Sequence, residues 1–397
     1  MLFSHRPFLF YLGARSCSRF ASQIAAVAVG WQVYELTGSA FQLGMIGLVQ
    51  FIPSALMVFV AGHVADRYDR RRVMALCQLA EALTSAYLAL GTFGGWITVP
   101  GIFAAMVVLG LATGFESPAV AALLPSVVPE GEVQRGTAVS TGAAQIVTIT
   151  GPAIGGFAYA AMPSLPYVLM ALLWLLGALL AISIIRERPA GSQPSPSVKA
   201  LFAGVSFVRH NPTILGTISL DLFAVLLGGA VALLPIYASD ILHAGPWGLG
   251  LLRAAPAVGA LLMTAVLTRF PIHARVGMRM FQAVIVFGLA TVVFGLSTTM
   301  WLSLIALAVM GAADTVSVVI RFSLVQLATP DEMRGRVGAV NFLFINASNQ
   351  LGQFESGITA ALLGTVPAAV LGGVGTVAVA LLWMKLFPSL RKVERLE

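Results

Sequence analysis

Charge is what this chain has least of: charged residues make up 10% of its 397 positions, against 58% hydrophobic ones. A soluble globular protein of this length needs far more charged surface, so the composition predicts a polytopic membrane protein. Cysteine is almost absent. Cys17 and Cys77 both fall in apolar stretches, which excludes a disulfide framework and a thiolate metal cluster. His5, His63, His210, His243 and His273 are scattered at or near expected loops, without the close helical spacing of a metal site, so neither metal nor cofactor is expected. A nucleophile–base pair is also missing, and an enzyme is not expected. The net charge of +7 would suit nucleic acid if the basic residues formed one patch. They are dispersed over short loops, where topology and lipid headgroups account for them, so no nucleic-acid partner is expected. The apolar run after Arg6 is interrupted by Arg15 and Arg19 and lacks a small-residue cleavage site, so it reads as a first span rather than a signal peptide.

Long apolar runs are what the chain does have. Stretches long enough to cross a hydrocarbon core of ~30 Å fall at 8–35, 39–61, 73–94, 100–126, 136–160, 166–186, 212–238, 247–269, 278–297, 300–326, 337–363 and 367–387, which predicts an all-α membrane protein with twelve transmembrane helices. Between the second and third runs lies Gly62 to Arg72, GHVADRYDRRR, read as a short hairpin tip at one membrane face. Short loops rich in Lys and Arg stay inside the cell. With both termini cytoplasmic, every basic residue except Arg15, Arg19, Arg253 and Arg321, which lie within spans, falls on the cytoplasmic side.

The chain divides at RERPAGSQPSPS (Arg186 to Ser197), its one Pro/Ser-rich linker, which leads into VKALFAGVSFVRHN, an expected amphipathic helix on the inner surface. The domains expected are a six-helix half at 1–186, a cytoplasmic linker at 187–211 and a second six-helix half at 212–397. Internal echoes agree. GLVQFIP (Gly47 to Pro53) recurs as GLLRAAP (Gly250 to Pro256), and Gly110, Pro129, Arg135, Gly151 and Gly156 recur 201 positions later as Gly311, Pro330, Arg336, Gly352 and Gly357. Two runs at nearly one offset predict two pseudo-symmetric halves.

Each ionisable residue near a helix centre costs on the order of 2.5–3.5 kcal/mol on insertion scales, and the spans carry Arg15, Arg19, Glu81, Glu116, Asp221, Arg253, Asp314, Arg321 and Glu355. Six of them, Arg15, Arg19, Glu116, Asp221, Asp314 and Arg321, sit on every third span. Tyr11, Arg15, Ser18, Arg19, Ser22 and Gln23 recur at three- and four-residue steps and predict one polar stripe facing an aqueous cavity for substrate and proton. Thr213, Thr217 and Asp221 form a second stripe, and Asp314, Ser317 and Arg321 a third. The alternative is that opposite charges pair to hold the structure together, Arg15 with Asp221 for example. Glu81, Arg253 and Glu355 are read as structural pairs, and Asn341, Asn346, Asn349, Gln350 and Gln353 as sources of interhelical hydrogen bonds.

GHVADRYDRRR resembles the signature loop between the second and third helices of the major facilitator superfamily, with Gly62, Asp66, Arg67, Arg70 and Arg71 at the matching positions. The resemblance implies the major facilitator fold over the whole chain, with this loop as a cytoplasmic gate. The corresponding second-half loop, LTRFPIHARVGMR, lacks the Asp-Arg pair. GPAIGG, with Gly151, Pro152, Gly155 and Gly156, resembles the antiporter motif of drug/proton exporters, although Val147 replaces an upstream glycine and the fourth span lacks the arginine of many such exporters. FESPAVAALLP and ATPDEMRGRVGAV are similar to the branch of enterobactin-type siderophore exporters and macrolide-efflux-like proteins. The implied function is a proton-coupled secondary transporter of the bacterial inner membrane that exports siderophore-like or drug-like amphipathic molecules by alternating access. Its expected partners are a small-molecule substrate, protons and membrane lipid, and a monomer is expected. The alternative is a lipid-handling or scaffolding membrane protein without proton-coupled export.

Overall fold

The computed structural model describes residues 2–185, 198–272 and 274–395. The linker at 186–197 and His273 lie outside the described residues. Every long regular element is helical: α1 (Arg6–Thr37), α2 (Ala40–Arg67), α3 (Arg70–Phe93), α4 (Val99–Val127), α5 (Val133–Ala161), α6 (Leu165–Ile182), α7 (Val198–His210), α8 (Pro212–Leu227), α9 (Leu234–Ile236), α10 (Gly245–Arg269), α11 (Val276–Leu296), α12 (Met300–Leu327), α13 (Asp331–Leu363), α14 (Thr365–Leu386) and the single turn α15 (Pro388–Arg391). This is an all-α membrane protein. Among the described residues nine helical segments are long and apolar enough to cross a bilayer, from Ala40–Met57 at mean hydropathy 1.5 to Leu165–Ile182 at 2.3. The long helices outside that set are α1, α5 and α13, at 32, 29 and 33 residues. They carry the arginines, serines, glutamines and asparagines that the sequence singled out, and this polarity lowers their hydropathy while their length still exceeds a bilayer's thickness.

Two segments depart from the expected pattern. The hairpin tip is only Tyr68 and Asp69: α2 runs on to Arg67, and Arg70, Arg71 and Arg72 already form the first turn of α3, with Asp69 capping it by accepting from the Arg71 amide at 3.0 Å. The expected span 212–238 breaks at Gly228 and Gly229, continuing as a 3-10 turn at Ala230–Leu233 and a wide turn at Tyr237–Ile241. Both glycines at the break are closely packed. A Cβ on Gly228 would lie 2.9 Å from the Phe287 ring, and one on Gly229 2.7 Å from Ser356 Oγ, so α8 ends at two residues whose neighbours leave no room for a side chain.

The described residues form two compact units, Met1–Gly38 with Val49–Ser195 and Gly245–Gly250, and Ser39–Leu48 with Pro196–Ala244 and Leu251–Glu397. In unit 1, α3 packs on α6 and α4, and α1 on α6 and α5, around Phe8, Tyr11, Met74, Leu123 and Val127. In unit 2, α11 packs on α12 and α14, and α8 on α13 and α14, around Leu220, Met280, Phe281 and Ile320. α7 is amphipathic as expected. Gly204 meets the Arg336 carbonyl and Val208 joins Ile214 and Val337, while Phe202 and Arg209 face outward.

The repeated glycines do the same work in each unit. Gly110 on α4 has no room for a Cβ against the Gln50 carbonyl of α2, nor has Gly311 on α12 against the Pro256 carbonyl of α10. A Cβ on Gly151 would lie 2.6 Å from Gln23 Cβ of α1, and one on Gly352 3.2 Å from Leu226 Cα of α8. Likewise Gly156 meets Gly250 Cα at 3.0 Å, and Gly357 meets Gly44 Cα at 2.7 Å. Close backbone approach is how helices associate where apolar burial gives no net drive, and both units place it at matching sequence positions.

Candidate functional site

Unit 2 holds an ion-paired cluster. Asp314, Ser317 and Arg321 recur at helical steps on α12, so one face carries all three toward α8, where Asp221 lies. Arg321 Nη1 pairs with Asp221 Oδ1, and Nη2 lies 3.5 Å from Asp314 Oδ1. The two carboxylates differ in exposure: side-chain accessibility is 12% for Asp221 and 47% for Asp314, with Arg321 at 10%. Together with Ser317, Phe287 and Val284 they line a small open cleft with about 20 Å3 of free space. The Ser317 hydroxyl is buried without a hydrogen-bond partner. One guanidinium between two carboxylates can favour either, and a change of charge on one alters its hold on the other. The sequence weighed Arg15 as a partner for Asp221; Asp221 is instead engaged by Arg321.

Unit 1 arranges its charges otherwise. The predicted stripe on α1 splits into two rows. Tyr11 and Ser18 turn inward, Tyr11 donating to the Val120 carbonyl at 3.3 Å and Ser18 to Glu116 Oε2 at 3.0 Å. Arg15 and Gln23 face α5, Arg15 donating to Ser140 at 2.5 Å and Gln23 to Thr148 at 3.3 Å. Arg19 is exposed. Glu116 is buried and accepts a second hydrogen bond, from Gln78 Nε2 at 2.6 Å. Trp174 donates to Ser18 at 3.3 Å. The sequence reading missed Gln78, Ser140, Thr148 and Trp174. Gln78, Glu81 and Ser85 on α3 carry the legible signal, three polar residues at helical steps inside an apolar span.

The arginines of the signature motif hold helix ends. Arg70 donates to the Ala122 carbonyl at 2.9 Å, beside Pro125, whose missing N–H leaves the Ala121 carbonyl without its usual helical donor. Arg71 pairs with Asp69 at 2.7 Å and donates to the Ile184 carbonyl just past α6. The Ile184 carbonyl, past the end of α6 at the negative end of its dipole, suits an arginine, while Arg70 adds a charged donor to the last turns of α4, which Pro125 weakens. Gly62, Asp66 and Arg67 lie on the last turns of α2. In the GPAIGG segment, Gly151 and Gly155 pack on α1 while Pro152 and Gly156 meet the first turn of α10.

Other expectations resolve locally. Glu355 accepts from Thr359 at 2.7 Å on its own helix, and Asn346 and Asn349 donate to the Phe342 and Ile345 carbonyls, one turn back, rather than to another helix. Amides on an accessible helix face reach the i−4 carbonyl more readily than a neighbouring helix. Among the described residues no group of three His, Cys, Asp or Glu could hold a metal.

A model of the Major Facilitator Superfamily matches residues 11–353 of this chain. The enterobactin exporter EntS of Citrobacter koseri is 28% identical, covering 99% of this chain and 94% of that protein. Macrolide efflux protein A of Streptococcus pyogenes is 22% identical, covering 96% and 95%. Among solved structures, the nucleoside transporter NupG superposes with a TM-score of 0.78 at 14% identity, over 96% of this chain and all of that one. A bacterial homologue of the human lysosomal transporter Spinster, inward-facing and unoccupied, gives 0.74 at 13%, over 98% and 96%. At such identities these two likenesses concern the fold alone.

Proposed function

The chain belongs to the Major Facilitator Superfamily and is a multi-pass membrane transporter of a small molecule; from that premise we propose that it is a proton-coupled exporter of amphipathic organic molecules working by alternating access. Export is supported by relatives along nearly the whole chain that are named as an enterobactin exporter and a macrolide efflux protein. A siderophore-like or drug-like substrate follows from the same resemblance. Counting α1, α5 and α13 with the nine apolar segments gives twelve spans, in halves at 1–186 and 212–397 joined by 187–211. The distribution of arginines supports cytoplasmic termini, and the bacterial transporters among the relatives support an inner-membrane location.

One observation carries proton coupling: Arg321 lies between Asp221 and Asp314, and the more buried carboxylate holds it more closely. A proton taken up by Asp221 cancels that hold and leaves Asp314 as the guanidinium's remaining partner. The charge of the site is thereby tied to the position of a side chain on α12, which is what an ion-driven conformational cycle needs. On the first half, Arg15, Arg19, Gln23 and Glu116 are the candidate substrate and proton residues, with Arg15 acting through its hold on Ser140. Gly62, Asp66, Arg67, Arg70 and Arg71 form the cytoplasmic gate, and Gly151, Pro152, Gly155 and Gly156 the packing segment of an antiporter. The test is reconstituted Asp221→Asn, assayed over a panel of siderophores and drugs with and without a pH gradient. Exchange without a gradient survives and pH-driven accumulation is lost; wild-type pH-driven transport would remove Asp221 from the coupling role.

A further inference from the structure

The cleft around Arg321 leaves unused the acid with the least exposure among the described residues. Glu81 on α3 is 1% exposed, and among the described residues it has no cationic partner. Its Oε2 has no hydrogen-bond partner at all. Its other oxygen lies 3.5 Å from Thr113 Oγ1, but the single hydroxyl hydrogen of Thr113 is already directed to the Leu109 carbonyl at 2.8 Å. Thr113 therefore offers Glu81 an acceptor rather than a donor. An ionised carboxylate without donors or a counter-charge is the costliest group to bury in an apolar interior, whereas a carboxylic acid can give its hydrogen to Thr113.

Glu116 is set up in the opposite way. Thr113 and Glu116 are one turn apart on α4, as Glu81 and Gln78 are on α3, so the two carboxyls lie along one seam between the same pair of helices. Both oxygens of Glu116 accept, one from Ser18 at 3.0 Å and one from Gln78 Nε2 at 2.6 Å. Gln78 is fully buried, its second amide hydrogen goes to the Ala14 carbonyl at 3.3 Å, and its Oε1 has no partner. That oxygen would lie 2.6 Å from a Cβ on Gly177, so the space it occupies depends on the glycine. Rotation of the amide by half a turn would present Oε1 to Glu116, and this suits a protonated Glu116 as the present orientation suits an acceptor. The other titratable groups nearby are few. Cys77 precedes Gln78 on α3; α1 brings Tyr11, bonded to Val120, Arg15, bonded to Ser140, and the exposed Arg19; α6 brings only Trp174 and Gly177.

We propose that Gln78, Glu81, Thr113 and Glu116 form a proton-binding site inside unit 1, in which Glu81 is held as a neutral acid donating to Thr113 and Glu116 takes up one proton as the Gln78 amide turns to accept from it. The proton added to Glu116 comes from solvent and returns to it, with no other bond made or broken. The purpose of that proton rests on the proton-coupled reading above, but the site is tested without transport.

The experiment is infrared spectroscopy of the purified full chain in detergent, with wild-type-minus-variant differences taken at each pH, following the stretching band of protonated carboxyls as pH is lowered from neutral. At neutral pH the wild type shows a buried-acid band that Glu81→Gln removes and Glu116→Gln leaves. Lowering the pH adds a second component of similar amplitude, which is lost in Glu116→Gln. A neutral-pH band that survives Glu81→Gln overturns the assignment of the acid, and the lack of a Glu116-dependent component overturns proton uptake. Removal of the bands by sodium ions at constant pH would also overturn it, since that marks a metal-cation site. Should Glu81→Gln fail to fold, Thr113→Val keeps both carboxyls and removes the acceptor, so the neutral-pH band must move to the frequency of an unbonded acid; an unmoved band refutes the Glu81–Thr113 bond. Loss of these bands with pH-driven transport intact would separate this site from the Asp221 reading.

Discussion

Trp174 and Trp383 hold corresponding places in the two units, each on the last long helix and each donating its indole N–H to a serine, Ser18 of α1 at 3.3 Å and Ser219 of α8 at 3.0 Å. The serines are 201 positions apart, the offset of the repeated glycines. The two sites differ in what else the serine does. Ser18 also feeds buried Glu116, whereas Ser219 donates to a carbonyl of its own helix, at Leu215.

Ser18→Ala therefore leaves a buried indole donor and a carboxyl one partner short together, and Ser219→Ala strands only the indole. A stranded buried group costs about 1–3 kcal/mol; Trp174 and Glu116 are buried, whereas Trp383 is only half-buried and its stranded N–H costs less. Thermal unfolding of the two variants in the same detergent checks this: Ser18→Ala should lower Tm more than Ser219→Ala does, and equal shifts would mean that the Ser18–Glu116 bond contributes nothing.

For the Arg321–Asp221 pair, losing one partner should be worse than losing both. A buried pair broken on one side costs about 3–5 kcal/mol because the remaining charge is uncompensated, while removing both charges can be nearly neutral. Asp314, within 3.5 Å of Arg321, takes up part of the stranded charge in Asp221→Asn but cannot help when Arg321 is removed. The expected order of stability is wild type and Asp221→Asn/Arg321→Gln highest, then Asp221→Asn, with Arg321→Gln lowest. A double mutant as unstable as the sum of the single variants would show that the two residues are not coupled.

Much of this was legible in the sequence, for reasons particular residues make plain. Apolar length located nearly every long helix because a bilayer leaves backbone groups no partner except the helix itself. Period and spacing put Asp314, Ser317 and Arg321 on one face, and the structure keeps them there. Partner choice was not legible. Arg15 was the mate the sequence offered for Asp221, and only the packing of α8 on α12 shows that Arg321 takes that place. The break at Gly228 and Gly229 was hidden for a similar reason, since two glycines in an apolar run signal a close approach only once the neighbours, Phe287 and Ser356, are known. Gln78 was missed and Glu81 read as half of a pair because polar residues in a span do not show on which helix a partner lies.

The repeated glycines give a paired control. Gly311→Ala drives a methyl into the Pro256 carbonyl, and Gly110→Ala does so into that of Gln50, with overpacking typically costing 1–3 kcal/mol. Gly142, also on a helix, has nothing within 4 Å of its added Cβ. Gly142→Ala should be neutral or stabilising by up to ~1 kcal/mol through helix propensity. Expression and Tm of the three variants, measured together, decide it, and a destabilised Gly142→Ala would mean that the site is covered.

Arg70 separates a topological role from a structural one. Arg70→Lys keeps the inside-positive charge but cannot reproduce the guanidinium's geometry at the Ala122 carbonyl, 2.9 Å away. Charge-assisted hydrogen bonds contribute about 1.5–3 kcal/mol. The lysine variant should insert with wild-type orientation, read by accessibility of a terminal tag, and still lose stability. Full stability in Arg70→Lys would reduce this residue to a topology signal.

The sharpest division concerns Arg15 and Arg19, which the sequence placed on one stripe. Arg15 is engaged inside unit 1, donating to Ser140 at 2.5 Å and approaching the Tyr11 hydroxyl at 3.5 Å. Arg19 is exposed one turn further along the same helix. A charge already committed to neutral hydroxyls contributes to packing, and its removal leaves Ser140, which is 1% exposed, with a worse environment. An exposed guanidinium is open to a carboxylate or catecholate of the substrate. Arg15→Gln is thus expected to lower Tm and reduce transport of anionic and cationic substrates alike. Arg19→Gln is expected to leave Tm unchanged while weakening transport of anionic substrates about tenfold more than cationic ones, the equivalent of ~1.4 kcal/mol. Parallel uptake assays in proteoliposomes with one anionic and one cationic substrate read the ratio. If Arg19→Gln loses both substrates equally with a lowered Tm, the exposed arginine is structural as well, and the charge that selects the substrate must be sought at Asp314, the other accessible member of the set.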